Sequence, residues 1–402
     1  MIQDQPEQLI AQIDEILHHR FAQYPAKDPQ NRAKQLHLLS QLTDQLILMN
    51  EVSETAEEPT TNHVKINPMT PHEVSALVSQ PVFIGGFMKS GTTLITELLD
   101  GHPDLCVLPG DTQYIKKRQQ LSSINFADSA NACMRILVNP TSKPPFWFFG
   151  ENVEPYRLFL AYFRKYLDQT NHDYLVCFML SMTSTLQHNT PTFQPRYWVE
   201  KTPGNEKNLD EIRHLYPAAK FIHLVRDPLQ NIASLQKLVA HRQWQPSAED
   251  HAYSMNRRFA KIPDNQATWG NNYLVLRYED LVKRPQVTMQ NVARFLQIDF
   301  TDTLLTPTNN RKNALANSMY AESRVVGKIL DKAKTNRYKK ILSLKEIENV
   351  VTLLSDQAIK QGYSDWGETE IKQYKRSSPH KYMLILRILF NKAIQRLSSS
   401  SR

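Results

Sequence analysis

The chain reads as an α/β protein of the P-loop-type, three-layer kind, with a mostly parallel central sheet and an N-terminal helical extension. Three observations predict this. Short apolar runs alternate with helical patterns from residue 81 to residue 298. A glycine-containing turn joins the first run to the helix behind it, and charged or hydroxyl residues gather at the downstream ends of the runs, where such sheets bind ligands.

Taken in order, residues 7 to 21 place Leu9, Ile10, Ile13, Ile16, Leu17 and Phe21 at helical spacing, and residues 33 to 49 repeat this with Leu36, Leu39, Leu42 and Leu46. The intervening "YPAKDPQN" breaks a helix, so a helical hairpin is expected, its apolar faces packing on the main domain. A polar link over 51 to 63 sets a boundary near residue 65. The extension is thus 1–65, the main domain 66–368 and a tail 369–402. In the domain, "PVFIGGF" (81 to 87) is a buried strand and "TTLITELLD" (92 to 100) a helix ended by Gly101 as a left-handed cap. "LCVLPG" (105 to 110), "RYWVEK" (196 to 201) and "FIHLV" (221 to 225) are strands. "NLDEIRHLY" and "LQNIASLQKLV" are helices. "YLVLRYEDL" (273 to 281) is a strand leading into the helix "RPQVTMQNVARFLQI".

Bulk composition narrows the class. At 402 residues, with 41% hydrophobic and 22% charged, the chain is an ordinary globular protein able to bury a core. Cys106, Cys133 and Cys177 share no metal-type spacing and are odd in number, which favours a reducing compartment. The start is polar and acidic with no signal-peptide pattern, and no apolar run approaches the ~18 residues of a spanning helix, so a cytoplasmic location is expected. The net charge of +8 resides in the tail, where eight Lys or Arg follow Ile371 with no Asp or Glu. Setting those eight aside leaves 40 basic against 40 acidic residues, so a nucleic-acid-binding body is unsupported. "KYMLILRILFNKAIQRL" brings Leu386, Leu389, Phe390, Ile394 and Leu397 near one helical face. The tail is therefore either a basic amphipathic helix in peripheral contact with an anionic membrane or a helix docked on the domain.

The chemistry begins at "FIGGFMKSGTT". Matching Gly86 and Gly91 to the glycines of a triphosphate loop puts Thr92 where its lysine belongs and Thr93 at the metal-binding hydroxyl, while Lys89 lies three residues early. The helix start still suits a phosphate, with Lys89 as a cation and Ser90, Thr92 and Thr93 as hydroxyl donors. Downstream, "FIHLVRDP" ends its strand in Arg226. Asp227 before Pro228 reads as a helix cap rather than a metal ligand. The pattern fits a nucleotide with separate phosphate groups, one at the loop and one at Arg226, with no metal required.

Together, "FIGGFMKSGTT", "WVEKTPGN", "FIHLVRDPLQNIASL" and "LVLRYEDLVKRP" resemble the sulfotransferases that use 3′-phosphoadenosine 5′-phosphosulfate (PAPS), most of all the tyrosylprotein and related bacterial branch. The resemblance covers roughly residues 80 to 365. It implies transfer of a sulfuryl group from PAPS to a hydroxyl acceptor, whether peptide tyrosine, carbohydrate, lipid or small metabolite. It places Lys89 to Thr93, including Gly91, in the 5′-phosphosulfate loop, Arg226 and Ser234 at the 3′-phosphate, and Tyr278 near the nucleotide. Lys201 takes the place of a lysine that assists the transferring group, and Asp111 that of the glutamate base. Ser323 and Arg337 fall in a segment that closes over the nucleotide.

Other readings stand beside these. A nucleotide or small-molecule kinase of the same architecture, needing ATP and magnesium, is the alternative function, and a nonenzymatic scaffold a third. Asp111 and Lys201 also suit turn positions, and Ser234 a tolerated helical serine. His102 and His223 are taken as structural, and "PPFWFFG" (144 to 150) as core rather than acceptor pocket.

Overall fold

The structure, a computed structural model, describes residues 66–116, 126–137, 148–150, 152–169, 174–239, 246–314, 327–329, 337–363 and 370–399. The expected N-terminal hairpin and Ser323 lie outside the described residues. In chain order the elements are α1 (Pro71–Val78), β1 (Pro81–Gly86), α2 (Thr92–Leu99), β2 (Leu105–Asp111), α3 (Phe126–Leu137), α4 (Glu154–Gln169), α5 (Tyr174–Asn189) and β3 (Tyr197–Lys201). There follow α6 (Leu209–Leu215), β4 (Lys220–Val225), α7 (Pro228–Val239), α8 (Ala248–Ala260), α9 (Ile262–Trp269), β5 (Tyr273–Arg277), α10 (Tyr278–Lys283) and α11 (Pro285–Leu296). The last helices are α12 (Leu344–Lys360), α13 (Glu370–Tyr374) and α14 (Ser378–Ser399).

The five strands form one parallel sheet in the order β2-β3-β1-β4-β5. Alternate residues along each strand enter opposite cores, as the period of two requires. Phe83, Cys106, Trp198 and Phe221 face one layer, with α4, α5, α7, α8 and α12. Val82, Ile84, Val107, Val199 and Ile222 face the other, with α2 and α11. The first face is rich in rings: Phe83 meets Trp198 edge-on at 5.5 Å, and Phe221 stacks on Tyr273 at 5.6 Å. Phe148 and Phe149 are buried in this core, as expected of the aromatic run. The three cysteines are buried and form no disulfide.

Two expectations need correction. Gly101 is not a left-handed cap: α2 ends at Asp100 in right-handed helical conformation. The Asp100 carboxylate accepts from Thr308 Oγ1 (2.8 Å) and Arg311 N–H (2.7 Å). An added Cβ at 101 would sit 3.3 Å from Thr303 Cβ, a tight contact. Nor does the last strand run to 281. It stops at Arg277, and Tyr278 opens a short helix, because Glu279 is drawn down to accept from Asp227 N–H (3.0 Å) and Tyr363 Oη (3.0 Å).

One buried ion pair ties the sheet to its ligand edge. Glu206 accepts from Gly86 N–H at 2.8 Å with one oxygen and from Arg258 at 2.8 Å with the other, and its side chain is 2% exposed. The Arg258 guanidinium also lies over the Phe87 ring, 4.3 Å from its centroid. Removing one partner of such a pair strands a buried charge, at a cost of about 3–5 kcal/mol. Arg258→Met is therefore expected to lower the unfolding free energy measured in urea by that order, and adding Glu206→Gln to restore part of it. A single variant as stable as the parent would contradict the pairing.

Candidate functional site

The switch point of the sheet lies between β1 and β4, since the chain leaves β1 towards β2 and leaves β4 towards β5. Into that crevice comes the turn 87–91. Two left-handed residues make it possible, Lys89 (φ 70°) and Gly91 (φ 104°). The lysine is the unusual one, because a side chain there carries a strain that glycine avoids. At Gly91 no side chain fits: an added Cβ would stand 2.4 Å from Tyr278 Cδ2. Ser90 N–H closes the turn on the Phe87 carbonyl (3.0 Å). The Asn231 carboxamide of α7, oriented by the groups it faces, donates to the Met88 carbonyl (2.9 Å) and accepts from Ser90 N–H (3.3 Å).

Arg226, the residue after β4, donates to the Lys89 carbonyl at 2.9 Å, and its guanidinium lies over the Tyr278 ring at 4.5 Å. Lys89, Gly91, Arg226 and Tyr278 are thus one cluster, although they are far apart in sequence. Asp227 caps α7, accepting from Gln230 N–H (2.9 Å), so it does serve as a cap. Two donors in this cluster, Ser90 Oγ and Arg226 Nε, are buried without a hydrogen-bond partner among the described residues. Buried polar groups are ordinarily satisfied. An anion accepting from such donors, at a helix start, is what the site fits. Burial, with Arg226 beside it, holds Lys89 below the usual lysine range.

One strand further along, Lys201 at the end of β3 is buried and paired with Asp111 at the end of β2, its register partner. Glu200, next to Lys201 in β3, is fully buried. Its carboxylate accepts from Thr112 Oγ1 (2.5 Å), Thr202 Oγ1 (2.7 Å) and Asn205 Nδ2 (2.6 Å). Burial pushes the Glu200 carboxyl up despite those three donors. α3 packs against β2, close enough that a Cβ on Gly110 would meet Ile136 at 3.0 Å.

The remaining predicted residues are less closely joined. Thr92 is buried and Thr93 half-buried in the first turn of α2. Ser234 is half-buried on α7. Arg337 is exposed on the turn Arg337–Lys340, whose Tyr338 is buried and which packs on α7. The two histidines are structural, as expected. His102 is buried, with Nε2 on the Asp299 carbonyl (2.8 Å). His223, also buried, meets Tyr273 Oη at 2.5 Å and is pushed down to about 4 by burial.

Sequence reasoning missed Glu97. It sits on α2 one turn past Thr93, with Oε2 enclosed and without a hydrogen-bond partner among the described residues. Burial pushes its carboxyl up to about 8, against the attraction of Lys201 and with the repulsion of Asp100. A carboxyl raised in this way stabilises the fold fully below its ordinary value of 4.5, and that contribution is lost as pH rises to about 8. Glu97→Gln is expected to remove the loss. Parent and variant should match in urea unfolding at about pH 5, and the variant should exceed the parent by a few kcal/mol, in order of magnitude, at about pH 9. Parallel curves would show that the carboxyl is solvated.

The chain is similar to known proteins over the same region. The chain is 26% identical over 226 residues to protein-tyrosine sulfotransferase 1 of Danio rerio, a match covering 56% of this chain and 55% of that one. It is 24% identical over 230 residues to protein-tyrosine sulfotransferase 2 of Gallus gallus, covering 56% and 53%. The chain spans about half the length of these relatives. Among solved structures, sulfotransferase STF9 of Mycobacterium avium aligns over 90% of this chain and 96% of its own, at 13% identity and a TM-score of 0.41. The sulfotransferase family model matches residues 81–302, from the first strand of the sheet to just past α11 and so over every strand end described above. The chain belongs to the sulfotransferase family.

Proposed function

We propose that this chain transfers the sulfuryl group of PAPS to a hydroxyl acceptor, and that the acceptor is a phenol such as a peptide tyrosine. One observation carries the reading. The strand ends present, in sheet order, Asp111, Lys201, the loop with Lys89, Arg226 and Tyr278. At about 4.8 Å per strand the row is about 19 Å long, enough for a nucleotide at one end and an acceptor at the other. A PAPS donor would supply a sulfuryl group on a phosphate leaving group. The loop N–H groups, Lys89 and Ser90 would hold its 5′ end, and Arg226, with Ser234, its 3′-phosphate. Tyr278 would border the nucleotide, and the turn of Arg337 would stand over α7.

The residues then divide the work by charge. Lys89 stabilises negative charge as it grows on the departing oxygen, and Lys201 does so on the transferring group. Asp111 takes the acceptor proton, which requires the acceptor hydroxyl to enter between Asp111 and Lys201. A phenol, with a pKa near 10, asks less of a carboxylate base than an alcohol does. Arginine, rather than an acidic metal ligand, follows β4. With family membership, this favours sulfuryl transfer over the kinase alternative. A cytoplasmic location belongs to the same reading and is supported by the sequence pattern alone.

Mass spectrometry of acceptors incubated with PAPS tests the proposal, using a panel of tyrosine peptides, carbohydrates, lipids and small phenols. Lys89→Ala is expected to cut transfer to every acceptor by about 10²–10³-fold. Asp111→Asn should cut it by a comparable factor of about 10²–10⁴. Full activity in the aspartate variant would remove that residue as base, and no sulfated product from any acceptor would sink the reading. The Lys89 shift makes a separate prediction. An anionic ligand should restore the charged lysine, so calorimetry of adenosine 3′,5′-bisphosphate binding in buffers of different ionisation enthalpy should show proton uptake that increases with pH. Lys89→Met should abolish the uptake.

A further inference from the structure

Of the two readings of the tail, the structure bears on the docked one. α14 is docked on the domain through one face, where Leu384 and Ile388 are buried in the core beside α8 and α12. Charge pairs set its rotation. Lys381 and Lys375 both reach Asp356 (2.9 and 3.0 Å), Arg387 lies 3.6 Å from Glu249, and Arg376 pairs with Glu348. The double contact holds the Asp356 carboxyl down at about 2.

With that face committed, the opposite one is apolar and open. Tyr382, Met383, Leu386, Leu389 and Phe390 are between 45% and 68% exposed. At about 100° per residue they fall within about 120° of arc, a full amphipathic stripe turned outward. Isolated exposed apolar residues need no explanation, but five large ones on three successive turns form a patch that does. The ridge is convex and contains two aromatic rings. The segment from Lys372 onward carries eight cations and no acid, and among the described residues the domain acids meet Lys375, Arg376, Lys381 and Arg387.

We infer that α14 lies on an anionic membrane surface, its outward ridge entering the headgroup region while the tail cations meet lipid charge. Apolar side chains at an interface are driven by burial, and cations near anionic lipid add attraction that salt weakens. A protein partner would have to present an acidic, concave face to satisfy the same ridge. A fluid leaflet of negative charge meets both demands without a preformed shape. The inference is independent of the transfer chemistry, because none of these residues belongs to the strand-end site.

Sedimentation of the full chain with phosphatidylcholine vesicles, with or without phosphatidylserine, tests it. The chain is expected to bind only the phosphatidylserine vesicles, and less as salt rises. Leu386→Glu combined with Phe390→Glu should lower binding by roughly tenfold or more while leaving the melting curve unchanged. Absence of binding by the parent chain, or equal binding by the double variant, would overturn the assignment. So would light scattering that shows a dimer dissolved by the same double variant, which would give the ridge to a second copy. Covering of the ridge by residues 7–49 would appear as no binding by the full chain, the first of these overturning results.

Discussion

The buried carboxylate of Glu206 is the contact on which the rest of the ligand edge depends. By accepting from Gly86 N–H it fixes the end of β1, and by pairing with Arg258 it anchors that end to α8. The segment leading to it is laced onto the same strand: Thr202 N–H and Asn205 Nδ2 both reach the Ile84 carbonyl, and Gly204 N–H reaches the Gly86 carbonyl. The approach is so close that a Cβ on Gly85 would stand 2.9 Å from Glu206 N. Lys201, one residue upstream, is thereby set beside the loop that carries Lys89. A desolvated charge is costly unless matched, so neither partner can leave without disturbing the junction of donor loop and acceptor end.

Electrostatically the edge is held in tension. Desolvation works against charge on both signs of residue there, lowering Lys89 and raising Glu97 and Glu200. Two unsatisfied donors, Ser90 Oγ and Arg226 Nε, add to the cost. An anion in the crevice would offset three of these costs together, those of Lys89, Ser90 and Arg226. Sites that must bind charged groups tightly and then release them are commonly built with such perturbed residues. The left-handed Lys89 has the same character, since its backbone strain persists only because Arg226 and Asn231 hold the carbonyls around it.

Much of this was legible because it is local. A period-two run ending in a glycine turn and a helix start shows in a few residues, and so did Arg226 at a strand end and Asp227 before its proline. What escaped notice depends on tertiary neighbours. Glu97 stands among apolar residues in an ordinary helix sequence, and only the packing of α2 against the sheet turns it from a solvated acid into a desolvated one. Glu206 sits in a turn-like stretch, where an acid is unremarkable until Arg258, 52 residues later, closes on it. The helices α3, α4 and α5 were not assigned. α5 in particular is buried almost all round, with Ser181 and Thr183 bonding back to carbonyls one turn earlier, so it has no polar face to show the helical period.

Chain order and spatial order differ at the site, and the difference explains how one edge can serve two ligands. Along the chain the groups run Lys89, Asp111, Lys201, Arg226, Tyr278. Across the sheet Lys89 moves to the middle, because β1 is inserted between β3 and β4. A loop placed centrally can face Arg226 and Tyr278, at the ends of β4 and β5, on one side and the Asp111–Lys201 pair on the other. The two sides are also built differently. The β4–β5 side uses strand ends and the helices that directly follow them, whereas β2 packs on α3, one of the helices that the described residues place between β2 and β3. The hydrogen bonds described around Lys89 and Arg226 involve no residue of that segment. On the proposed reading, donor grip and acceptor access are therefore separable, and the segment between β2 and β3 is where the acceptor end would be reshaped without loosening the loop.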